Sequence, residues 1–247
     1  VFGFLFIVVC LLFVIRNLEF IKMPIPQIFY NIGYAVCHQL PHRTFHVHDQ
    51  ALPLCSRCTG IYLGMFLTFA FYFVWYWLRG RRPTIPPALP IIVMSALFFL
   101  AMPFNAISPH FGVPTHNIAR LITGILFGFS VPLFLLPVFN DSPRGKNSEE
   151  RIIKTGEYLF LFSVVILVTA LIIIENVLTL YFAAYASTTG LIIFASFLNA
   201  TVVKEIFEHY QKFLRNYWYV AMGVMLAAGE FTILFLSRTY IEQQLLP

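Results

Sequence analysis

Charge is what this sequence has least of. Asp, Glu, Lys and Arg make up 11% of its 247 residues, where an average soluble domain carries about 25%. The chain is 59% hydrophobic, and so few charges cannot give it a water-facing shell. Signatures of familiar enzyme classes are also missing. There is no Walker Gly-Lys-Ser/Thr, no Gly-x-Gly-x-x-Gly, no Gly-x-Ser-x-Gly, no His-Glu-x-x-His and no Cys-x-x-Cys-His haem site. These gaps argue against a P-loop NTPase, a dinucleotide-binding enzyme, a serine hydrolase, a zincin and a c-type cytochrome. Acidic residues inside apolar runs are few, which disfavours a proton-coupled pump. The apolar runs lack the period-two alternation of a membrane β-barrel. A net charge of +5 is spread along the chain with no basic patch of a soluble domain, so no nucleic-acid partner is expected.

What the sequence does have is long apolar runs. A run of about 18 or more such residues crosses the bilayer as a helix. The expected fold is all-α, a polytopic transmembrane helix bundle of about seven helices. They are placed at about 1–16, 57–78, 87–104, 117–139, 157–174, 178–202 and 216–237. The first run begins at Val1 and is read as a retained helix rather than a signal peptide, since no small-residue cleavage site follows. Arg79, Arg81 and Arg82, then Arg144, Lys146, Arg151 and Lys154, then Lys204, Lys212 and Arg215 fall in alternate loops. The positive-inside rule puts those three loops in the cytoplasm. Residues 17–56, 105–116 and 175–177 then face the extracytoplasmic side of a cell membrane, although Arg16, Lys22 and Arg43 weaken the first of these assignments.

Residues 35–64, AVCHQLPHRTFHVHDQALPLCSRCTGIYLG, hold three of the four cysteines and four of the seven histidines. Cys55-Ser56-Arg57-Cys58 can direct two sulfurs to one ion at about 2.3 Å. Cys37 can supply a third. The segment RTFHVHDQALPL alternates around a polar centre and predicts a short hairpin, which would return Cys37 to the Cys-x-x-Cys turn. The fourth ligand is open among His38, His42, His46, His48 and His116. Three readings compete: a structural metal site, most simply zinc; thiol–disulfide chemistry, with Arg57 and a helix N-terminus favouring a thiolate; and an ordinary disulfide with surface histidines. Cys10 reads as a packed hydrophobe.

The strings CHQLPHRTF (37–45), PLCSRCTGIYLG (53–64) and NIARLITG (117–124) resemble the signature of a family of prokaryotic membrane proteins, the domain of unknown function 2085 family. The resemblance covers about residues 30–140. It departs at Thr44, where Ser is usual, and the hydroxyl is kept. It implies no established activity. It leaves His42, His46 and His48 at free positions, which makes His38 the implied fourth ligand beside Cys37, Cys55 and Cys58. It also divides the chain into a four-helix membrane domain at 1–140, carrying the Cys/His loop at about 24–58, and a three-helix module at 141–247.

Other polar residues lie near the expected membrane ends. Asn117, Arg120 and Thr123 share one helical face by i, i+3 spacing. With Arg43 and Arg57 they suit an anion or a lipid phosphate; as ordinary residues the arginines cap carbonyls or snorkel. Glu230 sits in an apolar helix, where an acid is a functional candidate. It is expected to pair with Arg120 or Arg57, or to stay protonated against Thr188 or Thr189. Gly60 and Gly64 predict a close helix–helix seam. Together these features suggest an accessory or scaffold subunit of a membrane complex, with lipids and other transmembrane subunits as partners. The alternative is a metal- or thiol-dependent enzyme acting on a lipid or quinone, including a disulfide-generating oxidoreductase.

Overall fold

A computed structural model of the chain describes residues 25–47, 50–141, 148–209 and 216–245. The helix expected at 1–16, with Cys10, lies outside these residues. The described chain begins with α1 (Gln27–Val36) and a hairpin of β1 (His46–Val47) and β2 (Gln50–Ala51). Then come α2 (Ser56–Trp75), β3 (Pro83–Ile85), α3 (Leu89–Ile107) and α4 (Asn117–Asn140). β4 (Ser148–Arg151), α5 (Thr155–Ile173), α6 (Val177–His209) and α7 (Asn216–Leu245) complete it. Six of these helices, α2 to α7, are long and apolar enough to cross a membrane, and the all-α polytopic bundle is the observed fold.

Two parts of this order differ from the sequence expectation. α1 falls where a Pro-broken loop is expected. Pro26 is its N-cap, where a missing N–H costs nothing, and ten residues give too short a pattern for periodicity to pick out. α6 runs on to His209, past the expected end near 202. Lys204, counted above as a loop cation, is only 1% exposed inside that helix. Its ammonium donates to the carbonyl of Phe139 at 2.6 Å and to that of Asp141, and it pairs with Glu208 at 3.7 Å. It therefore caps the C-terminal end of α4, where free carbonyls attract a cation.

The bundle is organised by one close crossing. Gly60 and Gly64 of α2 face Gly124 and Gly128 of α4. A Cβ on Gly60 would stand 2.8 Å from the Ile125 nitrogen, and one on Gly64 would stand 2.6 Å from the Phe129 nitrogen. Only glycine allows backbones this close. Thr68 locks the seam, its hydroxyl donating to the carbonyls of Gly64 and Phe129 at 3.0 and 3.1 Å. The pairing Gly60 with Leu121 and Gly64 with Ile125 makes the two helices parallel. Their first residues, Ser56 and Asn117, therefore meet at the same end of the bundle. α6 packs along another side of α2, and α7 packs on α6 and α1. Buried residues of α2, α4, α5 and α6 form one core, with Phe45, Val47 and Leu52 of the loop joined to it.

At the other end, β3 and β4 pair in parallel. Asn140 donates to the Tyr72 hydroxyl at 2.7 Å and to the Pro83 carbonyl at 2.9 Å. Glu157 accepts from the Trp75 indole at 2.8 Å and from the Tyr76 hydroxyl. The aromatic run 71–77 is thus split: Phe73, Trp75 and Trp77 are exposed, while Tyr72 and Tyr76 are buried and bonded.

Candidate metal centre

Cys37 ends α1, its N–H donating to the Gly33 carbonyl at 2.8 Å, and its side chain is 3% exposed. Cys55 is the N-cap of α2 and Cys58 lies in its first turn. N-cap and N3 side chains face the same way at a helix start, so the Cys-x-x-Cys sulfurs are held on one side. The hairpin then returns the chain, with His46 opposite Ala51. The outcome is that the three sulfurs all lie within 4.8 Å of one another. Ligands at about 2.3 Å around a tetrahedral zinc would stand about 3.8 Å apart, so a small contraction brings this group onto an ion. All three cysteines are free thiols.

Several bonds hold the two halves of the site together. Gln39 adopts φ +49°, an uncommon region for a residue with a side chain. There its amide donates to the carbonyls of Tyr30 and Pro53 at 2.9 and 2.8 Å. One amide so bridges the Cys37 side to the Cys55 side. Gly33 makes room for that bridge, since a Cβ there would lie 2.9 Å from Gln39 Nε2. Ser56 donates to the Arg43 carbonyl at 2.9 Å, Thr59 to the Leu54 carbonyl at 3.0 Å and Tyr30 to the Ala51 carbonyl at 2.8 Å.

The sulfurs are not equivalent. The Cys55 N–H donates to Cys37 Sγ at 3.3 Å. Hydrogen bonds from the Cys37 and Cys58 thiols hold the Cys55 thiol well below its usual pKa, helped by backbone N–H groups of the helix start. Cys37 is pushed up by its hydrogen bond to Cys55. Around them stand Ile32, Leu54, Tyr62, Leu191 and Phe231. Thiolates walled by apolar side chains lack water as a counter-environment, and a metal cation supplies one.

The group does not include His38. Cys37 has φ −128° and ψ 144°, and neighbouring side chains on extended backbone point to opposite faces. Cys37 therefore points inward while His38 is exposed. His42, His46 and His116 are exposed as well, and His48 lies outside the described residues.

Sequence reasoning missed a clamp from the far end of the chain. Arg238 of α7 donates to the carbonyls of Tyr34 and Cys37 at 2.5 and 2.6 Å. Its guanidinium lies 3.9 Å from the centre of the Tyr34 ring. Glu242 orients it at 3.0 Å and accepts from the Tyr34 hydroxyl. Arg238 and Glu242 stand at i, i+4 spacing, the one signal the sequence offered for them.

The residues expected at an anion site each have polar partners near the loop end. Arg57 donates to Asn105, at 3.1 Å to the side chain and 3.3 Å to the carbonyl. Arg120 donates to Thr115 at 2.9 and 3.1 Å and to the Asn117 side chain at 3.2 Å. Asn117 in turn donates to the His42 carbonyl at 3.3 Å, joining α4 to the loop. Arg43 lies on that loop, bonded to His42. Glu230 is placed elsewhere: it is exposed and accepts from Asn199 at 2.9 Å. Its hydrogen-bond partner belongs to α6, the helix on which α7 packs most extensively. Thr188 is buried and bonded to the Ala184 carbonyl.

Residues 37–134 match a family model described as "Predicted membrane protein (DUF2085)". Over that segment the chain is similar to the DUF2085 family. Two archaeal proteins, both named only as uncharacterized, are similar to the chain. One, from Methanocaldococcus jannaschii, is 29% identical over 122 residues, which is 44% of this chain and 67% of that protein. The other, from Methanothermobacter thermautotrophicus, is 51% identical over 39 residues, 16% of this chain and 35% of that protein. No solved structure matches. The DUF2085 segment contains the three cysteines and the three arginines of the loop end. Tyr34, Arg238 and Glu242 lie outside it, so the clamp on Cys37 is built from residues beyond the matched segment.

Proposed function

We propose that this chain is a multi-pass membrane protein of the accessory or scaffold kind, in which Cys37, Cys55 and Cys58 hold a zinc ion that pins the loop at 24–58 onto the helix bundle. The observation that carries this reading is the convergence of three sulfurs from two separate segments into an apolar-walled group. Thiolate donors suit zinc, which adds binding energy without redox chemistry. A loop with few core residues of its own gains order from such ligation. The fourth position falls to water or to a residue beyond the group. His38 can reach it only if the backbone at Cys37 leaves the extended conformation.

The same reading places the loop outside the cell membrane. The turn at 105–116 shares the loop's end of the bundle and has no Lys or Arg, while Arg81, Arg82, Arg151 and Lys154 lie at the other end. α3 and α7 bury little of their apolar surface against the described residues, which suits bilayer lipids and other transmembrane subunits.

One observation favours a second reading. A three-ligand site has an open coordination position, as catalytic zinc sites do, and Cys55 has thiolate character. That suits a metal- or thiol-dependent enzyme acting on a lipid or quinone, or a disulfide-generating oxidoreductase. Elemental mass spectrometry on the detergent-purified full chain, wild type beside Cys55→Ser, separates metal binding from disulfide chemistry. About one zinc per chain, lost in the variant, supports the metal site. No metal in either sample, with thiols blocked until reduced, supports disulfide chemistry instead.

A further inference from the structure

Three guanidinium groups gather at the loop end of the bundle, and among the described residues no carboxylate pairs with them. Arg43 comes from the loop, Arg57 from the first turn of α2 and Arg120 from the first turn of α4. Asn117 ties two of them together, accepting from the Arg120 guanidinium and donating to the carbonyl of His42 beside Arg43. Among the described residues the ion pairs are Arg81–Glu150, Lys204–Glu208 and Arg238–Glu242, and none involves these three. Their partners are neutral: Asn105, Thr115, Asn117 and His42. Arg57 Nε is buried with no partner at all.

Like charges held together need a counter-charge. The metal centre does not suffice. Three thiolates and a divalent ion sum to one negative charge, against three positive ones. Neutral partners orient the guanidiniums without neutralising them, which is how phosphate receptors are arranged. The N-termini of α2 and α4, parallel and side by side, add two positive dipole ends to the same place.

We propose that Arg43, Arg57 and Arg120 form a receptor for a phosphate group at the loop end of the bundle, whether carried on a lipid headgroup or on a water-soluble phosphate. Asn117 and Thr115 hold Arg120 in position. Its arginines are not the thiol ligands, although Arg57 lies between Cys55 and Cys58, and its test reads phosphate binding rather than metal content.

The test uses the full chain purified in detergent and read by native mass spectrometry. It is titrated with phosphatidylglycerol and, separately, with inorganic phosphate. The wild type binds at least one of them, and Arg43→Gln and Arg120→Gln each weaken that binding about tenfold. Binding of phosphatidylglycerol alone identifies a lipid headgroup; binding of inorganic phosphate identifies a soluble ligand. Arg120→Lys, which keeps the charge and loses the fork, falls between wild type and Arg120→Gln. Arg43 is exposed on the loop, so its variant stays informative if Arg120→Gln fails to fold. Equal binding by wild type and Arg43→Gln, or no binding by wild type, overturns the proposal.

Discussion

Arg238 donates a 2.6 Å hydrogen bond to the carbonyl of Cys37, across 201 positions of sequence. The same nitrogen reaches the carbonyl of Tyr34, and Glu242 braces the guanidinium from one turn away. Two carbonyls at the end of α1, left free by the helix, are so taken up by one cation from α7. This fixes the backbone that aims the Cys37 sulfur at Cys55 and Cys58.

Arg238→Ala is therefore expected to loosen the site without touching a sulfur. Loss of a hydrogen bond from a charged donor costs about 1.5–3 kcal/mol, or about tenfold or more in metal retention. Arg238→Lys recovers part of it, since an ammonium can meet one carbonyl but cannot lie flat on the Tyr34 ring as guanidinium does. Zinc transfer to a colorimetric chelator measures both. Identical release from wild type and Arg238→Ala would remove Arg238 from the site.

How much of this was legible in the sequence depends on the range of the signal. The six spans were readable because apolar runs are long and their breaks are rich in Pro and charge, and each starts within two residues of its expected position. The return of Cys37 to the Cys-x-x-Cys turn was readable because the hairpin is local. The choice of His38 failed to meet the cysteine group because ligand type says nothing about which face of an extended strand a neighbour takes. Arg238 and Lys204 were hidden for a different reason. Their partners are backbone carbonyls of other helices, and carbonyls leave no mark in a sequence. Glu230 meets Asn199 of α6, a partner that helix order along the chain does not reveal.

The seam between α2 and α4 predicts sharp position dependence. Gly64→Leu or Gly128→Leu forces backbone apart at the crossing and is expected to destabilise the bundle by at least about 1–3 kcal/mol. Gly229, which has open space around its Cβ position, provides the control: Gly229→Ala is neutral or slightly stabilising, as Ala is the better helix former. Thermal unfolding in detergent compares them. If the seam variants melt with the wild type, the parallel crossing is not what aligns Ser56 with Asn117.

Lys204→Met keeps the length of the side chain and removes its donors. The carbonyls of Phe139 and Asp141 then lose their partner, and a stranded buried acceptor costs about 1–3 kcal/mol. Glu208 is left without its cation, so Lys204→Met/Glu208→Gln is expected to be more stable than Lys204→Met alone. A double-mutant cycle on unfolding midpoints reads the coupling. Strict additivity would show that the Lys204–Glu208 pair contributes nothing.

Two of the thiols, Cys55 and Cys37, predict different pH behaviour in metal-free protein. Cys55 is held below its usual pKa, so its thiolate favours the folded state. That stability is full above the ordinary thiol value of about 8.5 and is lost as pH falls toward the folded value. Cys37 is shifted the other way, so its contribution is present below the ordinary value and is lost as pH rises through its raised one. Iodoacetamide labelling followed by peptide mass spectrometry should find Cys55 modified at a nearly flat rate between about pH 6 and 9, with Cys37 reacting only toward the alkaline end. Zinc should protect both, and acid should restore labelling of Cys55 as protons displace the metal. Two parallel curves with an ordinary thiol midpoint would mean that the sulfurs do not share protons, and that the geometry joining Cys37 to the start of α2 is not the one in solution.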